Sequence, residues 1–261
     1  RRGGLLEYVT TIGGVGLYTV FLPWFALMMI WLFAYTLRWF PIGKFIDPIL
    51  WWKAPFAANY VFLRMLATGL IGSVVLFAWV FSTRRLDPVG RARLRWLGVG
   101  LVLLGIAAYW LFFTEGAARY ALDILHHLIL PIVTLAAISF AGTMLLTRSS
   151  MLETLREDYI LAARAKGLPE KVVRDKHAAR NALLPVLTSF VFSLAGVLNG
   201  GVITETTFSW PGMGLTLLKA ANTQDIPTTV GVLVFTGALT LTAHFVADIL
   251  YAYLDPRVRY A

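Results

Sequence analysis

The sequence predicts an all-α, polytopic membrane protein, and three observations carry that expectation. Hydrophobic residues make up 58% of the 261 and charged residues only 14%, where soluble chains carry about 25% charged residues. The mean hydropathy is +0.72. The apolar residues are also gathered into stretches of about 20, the length a helix needs to cross a hydrocarbon core roughly 30 Å thick.

Six stretches qualify, at about 11–37, 60–81, 96–113, 128–147, 184–206 and 229–251. Pro23 falls inside the first and predicts a kink there. Orientation follows from the basic residues. The Arg1 start, the 82–95 loop, the 148–181 loop and the tail with Arg257 and Arg259 hold 17 of the 23 Lys and Arg residues. Six spans put all four of these segments on one face, which the positive-inside rule makes cytoplasmic. The start at Arg1-Arg2-Gly3-Gly4 reads as a cytoplasmic loop with no cleavable signal peptide. Trp39, Phe40, Trp51 and Trp52, in the loop on the opposite face, read as an interfacial aromatic belt.

Several chemistries are excluded. Cysteine is absent, which removes disulfides, thiol nucleophiles and thiolate metal sites. There is no phosphate-cradling Gly-x-x-x-x-Gly-Lys-Ser/Thr loop. His126 and His127 are adjacent, so on a helix they point about 100° apart and make a poor metal pair. No catalytic residue and no metal ligand is expected. The net charge of +9 fits loops beside a membrane rather than a nucleic-acid footprint. Ionisable groups in spans mark pathways or partners. By that rule Glu205 lines a translocation path, while His244 and Asp248, four residues apart, pair with each other or with a neighbouring helix.

One long polar island interrupts the apolar chain. Residues 148–181 hold eight of the basic residues and five of the 14 acids. Leu152, Leu155 and Tyr159, then Ala162 and Ala163, recur at helical spacing. Gly167 stops that helix and Pro169 keeps it stopped. Pro169 and Glu170 open a second helix with Glu170–Arg174 and Lys171–Asp175 pairs. The expectation is a helix–turn–helix between two spans.

The run Asp158-Tyr159, Ala162-Ala163-Arg164-Ala165-Lys166-Gly167-Leu168 and Arg180-Asn181-Ala182-Leu183-Leu184-Pro185 resembles the coupling loop of ABC-importer permeases. It is most similar to the type that imports dipeptides, oligopeptides and nickel. The general signature there is Glu-Ala-Ala-x-x-x-Gly followed by Leu-Pro. Here Leu161 stands in place of the Glu, and Pro185 lies 18 residues after Gly167, as in the peptide-type variant. Four further blocks match in family order: Arg1-Arg2-Gly3 with Phe21–Leu27 and Trp39–Gly43, then Asp123–Pro131, Glu205–Gly214, and Asp255–Tyr260.

The resemblance implies a single permease domain over 1–261 that moves peptides or similar small solutes by alternating access. An ion-coupled secondary transporter is the alternative. It implies that Tyr159, Ala162, Ala163, Arg164, Lys166, Gly167 and Leu168 contact a cytoplasmic ATPase. It also implies that Asn199, Glu205 and Trp210 lie along the path or its outer gate. The implied partners are a second homologous permease, two ATPase subunits, an extracytoplasmic solute-binding protein and the lipid bilayer. ATP and Mg would bind those ATPases, with no cofactor on this chain. The implied location is the cytoplasmic (inner) membrane of a bacterium or archaeon. The family has two further spans before the position of Arg1, left to a longer chain or to another polypeptide. The hairpin at about 60–120 has no family counterpart and is expected to be a peripheral, lipid-facing addition.

Overall fold

Long apolar runs with few helix breakers fold here as long helices, and the breaks fall where backbone donors or torsions demand them. The computed structural model describes residues 4–85, 88–197 and 201–254. In order, these form α1 (Leu5–Thr19) and α2 (Leu22–Met29), the latter running into a wider π-helical segment, Ile30–Thr36. Then come α3 (Pro48–Trp51), α4 (Ala58–Ser82), α5 (Pro88–Phe112) and α6 (Ala118–Thr154). The polar island gives α7 (Asp158–Ala165) and α8 (Glu170–Val172), which continues through a π-helical segment, Val173–Ala178, into α9 (Ala179–Ala182). The last elements are α10 (Leu184–Val197), α11 (Val202–Thr207), α12 (Met213–Asn222) and α13 (Ile226–Leu254). The described residues are helical and polytopic, as expected.

The first of the six expected spans needs a correction. Among the described residues four helices are long and apolar enough to cross a membrane: α4, residues 92–112 of α5, α6, and residues 226–249 of α13. The first expected span is a bent pair, 8–19 and 22–36, meeting at 109°, and makes a fifth only if the pair counts as one. Val20 and Phe21 are extended, with ψ of 132° and 116°. Pro23, which lacks an N–H, sits in the first turn of α2, where that donor would be unpaired anyway. The expected kink is therefore a full break. Among the described residues, the fifth expected span, 184–206, shows a shorter apolar helix, Leu184–Ser193, while residues 198–200 of that span lie outside them. Gly201 adopts a non-helical φ/ψ of −111°/76° ahead of α11.

Contacts divide the chain into two units, one with residues up to 43 and from 130 onward, the other 44–129. In the first, α10 and α12 pack on α13, where Val191 and Ala247 are buried against Ala243. A second cluster buries Ala26, Ala34, Leu130 and Phe208 beneath Met29, Ile30, Phe33 and Phe40. In the other unit α4 and α5 form an antiparallel hairpin within the extra segment noted in the sequence. There Trp110 Nε1 donates to Thr68 Oγ1 at 3.3 Å and Trp79 Nε1 to the Leu94 carbonyl at 2.9 Å.

Trp51 corrects the aromatic-belt reading. Its indole N–H donates to Asp123 Oδ2 at 2.8 Å, and its ring lies 4.7 Å from Tyr120. The Asp47 backbone N–H donates to the same oxygen at 3.0 Å. Trp51 is thus an anchor of its own unit, whereas Trp52 is 82% exposed. In α13, His244 Nδ1 bonds to the Thr240 carbonyl at 2.9 Å. No ion pair joins His244 to Asp248 among the described residues, because the imidazole is turned back along its own helix.

Asp225 caps α13. Its carboxylate accepts from the Thr228 N–H at 3.1 Å and from the Thr228 hydroxyl at 2.6 Å. These bonds, the hydroxyl first, hold its pKa below the usual carboxylate value. A depressed folded pKa gives stability that is present above the unfolded value, about 3.9, and lost as pH falls through the folded one. Asp225→Ala should therefore melt below wild type at neutral pH. Melting curves in mild detergent from pH 7 downward should converge below about pH 4; a gap independent of pH would contradict this account of the cap.

Candidate functional site

The polar island is built by one break and one turn. α6 does not run on through Tyr159 as the periodicity predicts. Successive tight turns (Arg156 N–H to Glu153 O, Glu157 N–H to Thr154 O, each 3.0–3.2 Å) end it, and extended Glu157 starts α7 on a new axis. The face turned inward changes accordingly. Ile160 and Ala163 are buried against Val173 and Ala178, with Met151 and Leu155 packed beside them. Leu152, Tyr159 and Ala162 lie outside that core and are exposed. The Ser150 hydroxyl, itself buried, donates to the Ala182 carbonyl at 2.7 Å and ties the end of α6 to the end of α9.

α7 ends at Lys166, whose N–H reaches the Ala162 carbonyl at 3.1 Å, and Gly167 follows with φ +75°. That left-handed torsion suits glycine and costs other residues. The ion pair that closes the turn differs from the pairs expected within the second helix. Arg164 grips Glu170 with two bonds, Nε–Oε2 at 3.2 Å and Nη2–Oε1 at 2.8 Å. These bonds hold the guanidinium pKa above its ordinary value. Arg174 bonds Asp175 at 2.7 Å and holds that carboxyl below its usual range. The expected partners act more weakly through space, Glu170 on Arg174 and Lys171 on Asp175.

The residues singled out in the sequence are thereby sorted. Ala162, Arg164, Lys166, Gly167 and Leu168 are exposed at the tip. Tyr159 is 40% exposed, and its hydroxyl accepts from Asn181 Nδ2 at 2.9 Å. Ala163, 8% exposed, faces the loop's own core. Leu161, 53% exposed, stands beside Ala162 on the outer face. The sequence reading passed over its exposure, and an apolar residue one step ahead of the alanine pair is the signal that marks it. The tip therefore presents small and apolar side chains beside Lys166 and the Arg164–Glu170 pair.

Glu205 has a defined geometry too. Its Oε1 accepts from the Gly201 N–H at 3.1 Å and its Oε2 from the Leu215 N–H at 2.8 Å. The carboxylate thus sits on unpaired N–H groups at the starts of α11 and α12. Its backbone carbonyl accepts from the Trp210 N–H at 2.7 Å, shaping the turn that carries half-buried Trp210. A Cβ on Gly214 would lie 2.7 Å from the Val202 backbone, so the two helices cross closely there. Asn199 lies outside the described residues, as does the Asp255–Tyr260 block.

Residues 11–260 match the model of the family described as the binding-protein-dependent transport system inner membrane component. The chain belongs to this family. Members are integral inner-membrane transport components, which fits the apolar helices. Among relatives, the di/tripeptide transport system permease protein DppB of Pseudomonas aeruginosa is 47% identical over 139 residues, covering 53% of this chain and 41% of its own length. The oligopeptide transport system permease protein AppB of Bacillus subtilis is 44% identical over 138 residues, 53% of this chain and 44% of its own. The oligopeptide transport system permease protein OppB of Mycobacterium tuberculosis is 44% identical over 137 residues, 52% of this chain and 42% of its own. The chain thus spans less than half the length of these relatives in the matched region.

Proposed function

We propose that this chain is a permease subunit of an ATP-driven ABC importer for peptides or similar small solutes. The observation that carries the reading is α7, held out by its own small core so that Leu161, Ala162, Arg164 and Lys166 face away from it. A helix so presented is a lever arm. A cytoplasmic ATPase that closes on ATP and Mg would push it, and the spans joined to it through α6 and α9 would rock between inward and outward openings.

In this reading Tyr159, Ala162, Arg164, Lys166, Gly167 and Leu168 contact the ATPase, and Ala163 acts indirectly by seating the helix. Glu205 and Trp210 shape the outer gate, and Asn199 belongs to the same stretch. Hydrolysis takes place on two ATPase subunits, so this chain is not itself an enzyme. A second homologous permease completes the path, and a solute-binding protein delivers the cargo. The names of the peptide-transport relatives support the solute class. The test is purification from native membranes in mild detergent through a C-terminal tag, followed by uptake in proteoliposomes. Co-purification of a nucleotide-binding ATPase and a second permease, with uptake that needs ATP, is expected. Uptake by this chain alone that collapses with an ion gradient would overturn the reading.

A further inference from the structure

The α4–α5 hairpin carries a feature that the transport reading does not use. Between the two helices runs an open groove of about 600 Å³. Its walls are apolar, among them Ile71, Val75, Leu101 and Ile106, and Trp79 closes one end. The other end is Arg64, the one charged residue of α4. At 1.5 Å per residue the distance from Arg64 to Trp79 is about 22 Å, more than one leaflet of a roughly 30 Å hydrocarbon core.

Arg64 is half-buried. Its guanidinium lies over the ring of Tyr60 at 5.1 Å and over that of Tyr109 at 5.9 Å. Ring faces hold a cation but accept little from its N–H fork, and no carboxylate among the described residues pairs with it. A charge in an apolar span is costly without a counter-ion. A planar five-donor fork matches phosphate oxygens in a two-pronged contact.

We propose that this groove binds a phospholipid, with an acyl chain between α4 and α5, the phosphate on Arg64, and a preference for an anionic headgroup. Charge complementarity selects that occupant over a neutral helix. A zwitterionic headgroup would bring its own ammonium to the same aromatic rings. Tyr60 and Tyr109 hold the guanidinium at the end of the groove. Gly105 leaves the groove open, since a Cβ built there meets nothing within 4 Å.

Native mass spectrometry tests this on the full chain, purified with whatever subunits accompany it. The probe is an equimolar mixture of phosphatidylglycerol and phosphatidylcholine with identical acyl chains. Wild type should retain one lipid, with the glycerol headgroup preferred about tenfold, a difference of roughly 1.4 kcal/mol. Arg64→Gln should keep a lipid but bring the preference close to one. Gly105→Leu, which fills open space and improves helix propensity, should lose the retained lipid with helical content unchanged. An unchanged preference in Arg64→Gln would overturn the proposal and leave the arginines of the 82–95 loop as the anionic-lipid site. Full retention by Gly105→Leu would overturn it too, as would a dimer that this variant breaks.

Discussion

On the proposed reading, a tryptophan at Ala162 should lower ATP-driven uptake by at least about tenfold, roughly 1.4 kcal/mol of lost coupling, while the chain still folds and inserts. Ala162 is exposed on the outer face of α7, so the indole meets solvent rather than the loop's own core. What it changes is approach. A small side chain lets the helix lie deep in a partner's groove, and a large one holds the two surfaces apart. ATP hydrolysis by the assembled complex should persist or lose its solute dependence while uptake falls. Normal uptake in proteoliposomes would remove α7 from the coupling path. Two neighbours make poorer probes. Ala163 is buried against Ile160, Val173 and Ala178, so a large residue there overpacks the loop at a cost of about 1–3 kcal/mol. Gly167 has φ +75°, and any other residue there strains the turn by roughly 1–2 kcal/mol before a partner is involved.

Truncating Phe208 to alanine should destabilise the first unit by about 3 kcal/mol, the low end for a buried phenylalanine. Phe208 is 2% exposed and fills the cluster of Ala26, Ala34 and Leu130 that joins α2 and its π-helical extension to the turn after α11. Its backbone is held as well, since a Cβ on Gly43 would come within 2.9 Å of the Phe208 carbonyl oxygen. Part of the gain from burying apolar groups vanishes when lipid replaces water as the reference, but the dispersion contacts that truncation removes are lost all the same. Phe208→Leu, which keeps most of the volume, should cost less than about 1.5 kcal/mol. Thermal unfolding in mild detergent reads both, and equal melting of Phe208→Ala and wild type would show that the turn is not seated through this ring. Because the same turn carries Trp210 and is clamped by Glu205, uptake should fall along with stability.

Local signals were legible in the sequence and distant partners were not. Apolar stretches of span length announced α4, α5, α6 and α13 because an uninterrupted apolar run of that length both forms a helix and matches the hydrocarbon thickness. Gly167 announced the end of α7 because a left-handed torsion has few alternatives. The break before α2 was read only as a kink at Pro23, since two extended residues, Val20 and Phe21, leave no mark in composition. The periodicity that carried one helix through Leu152, Leu155 and Tyr159 missed the three-residue turn at 155–157, which resets the helical phase before α7. Arg164 bonds Glu170 across that tip rather than Glu170 bonding Arg174 along a helix, and only the folded turn brings the first pair together. Trp51 and Asp123, 72 residues apart, could not be paired from spacing at all. At the outer turn, Glu205 was read as a path residue on polarity. In the structure both its oxygens are occupied by backbone N–H groups, a role invisible until α11 and α12 cross.

The most direct test of the coupling assignment uses the absence of cysteine. A single cysteine introduced as Ala162→Cys can be treated in native membranes with a short maleimide–benzophenone reagent, illuminated so that the benzophenone inserts into a nearby C–H bond, and any adduct identified by mass spectrometry. The account predicts an adduct with a nucleotide-binding ATPase, sensitive to added ATP and absent from the buried-site control Ala163→Cys. Failure of Ala162→Cys to join any ATPase, together with its labelling by an impermeant maleimide from outside intact cells, would contradict both the partner and the orientation.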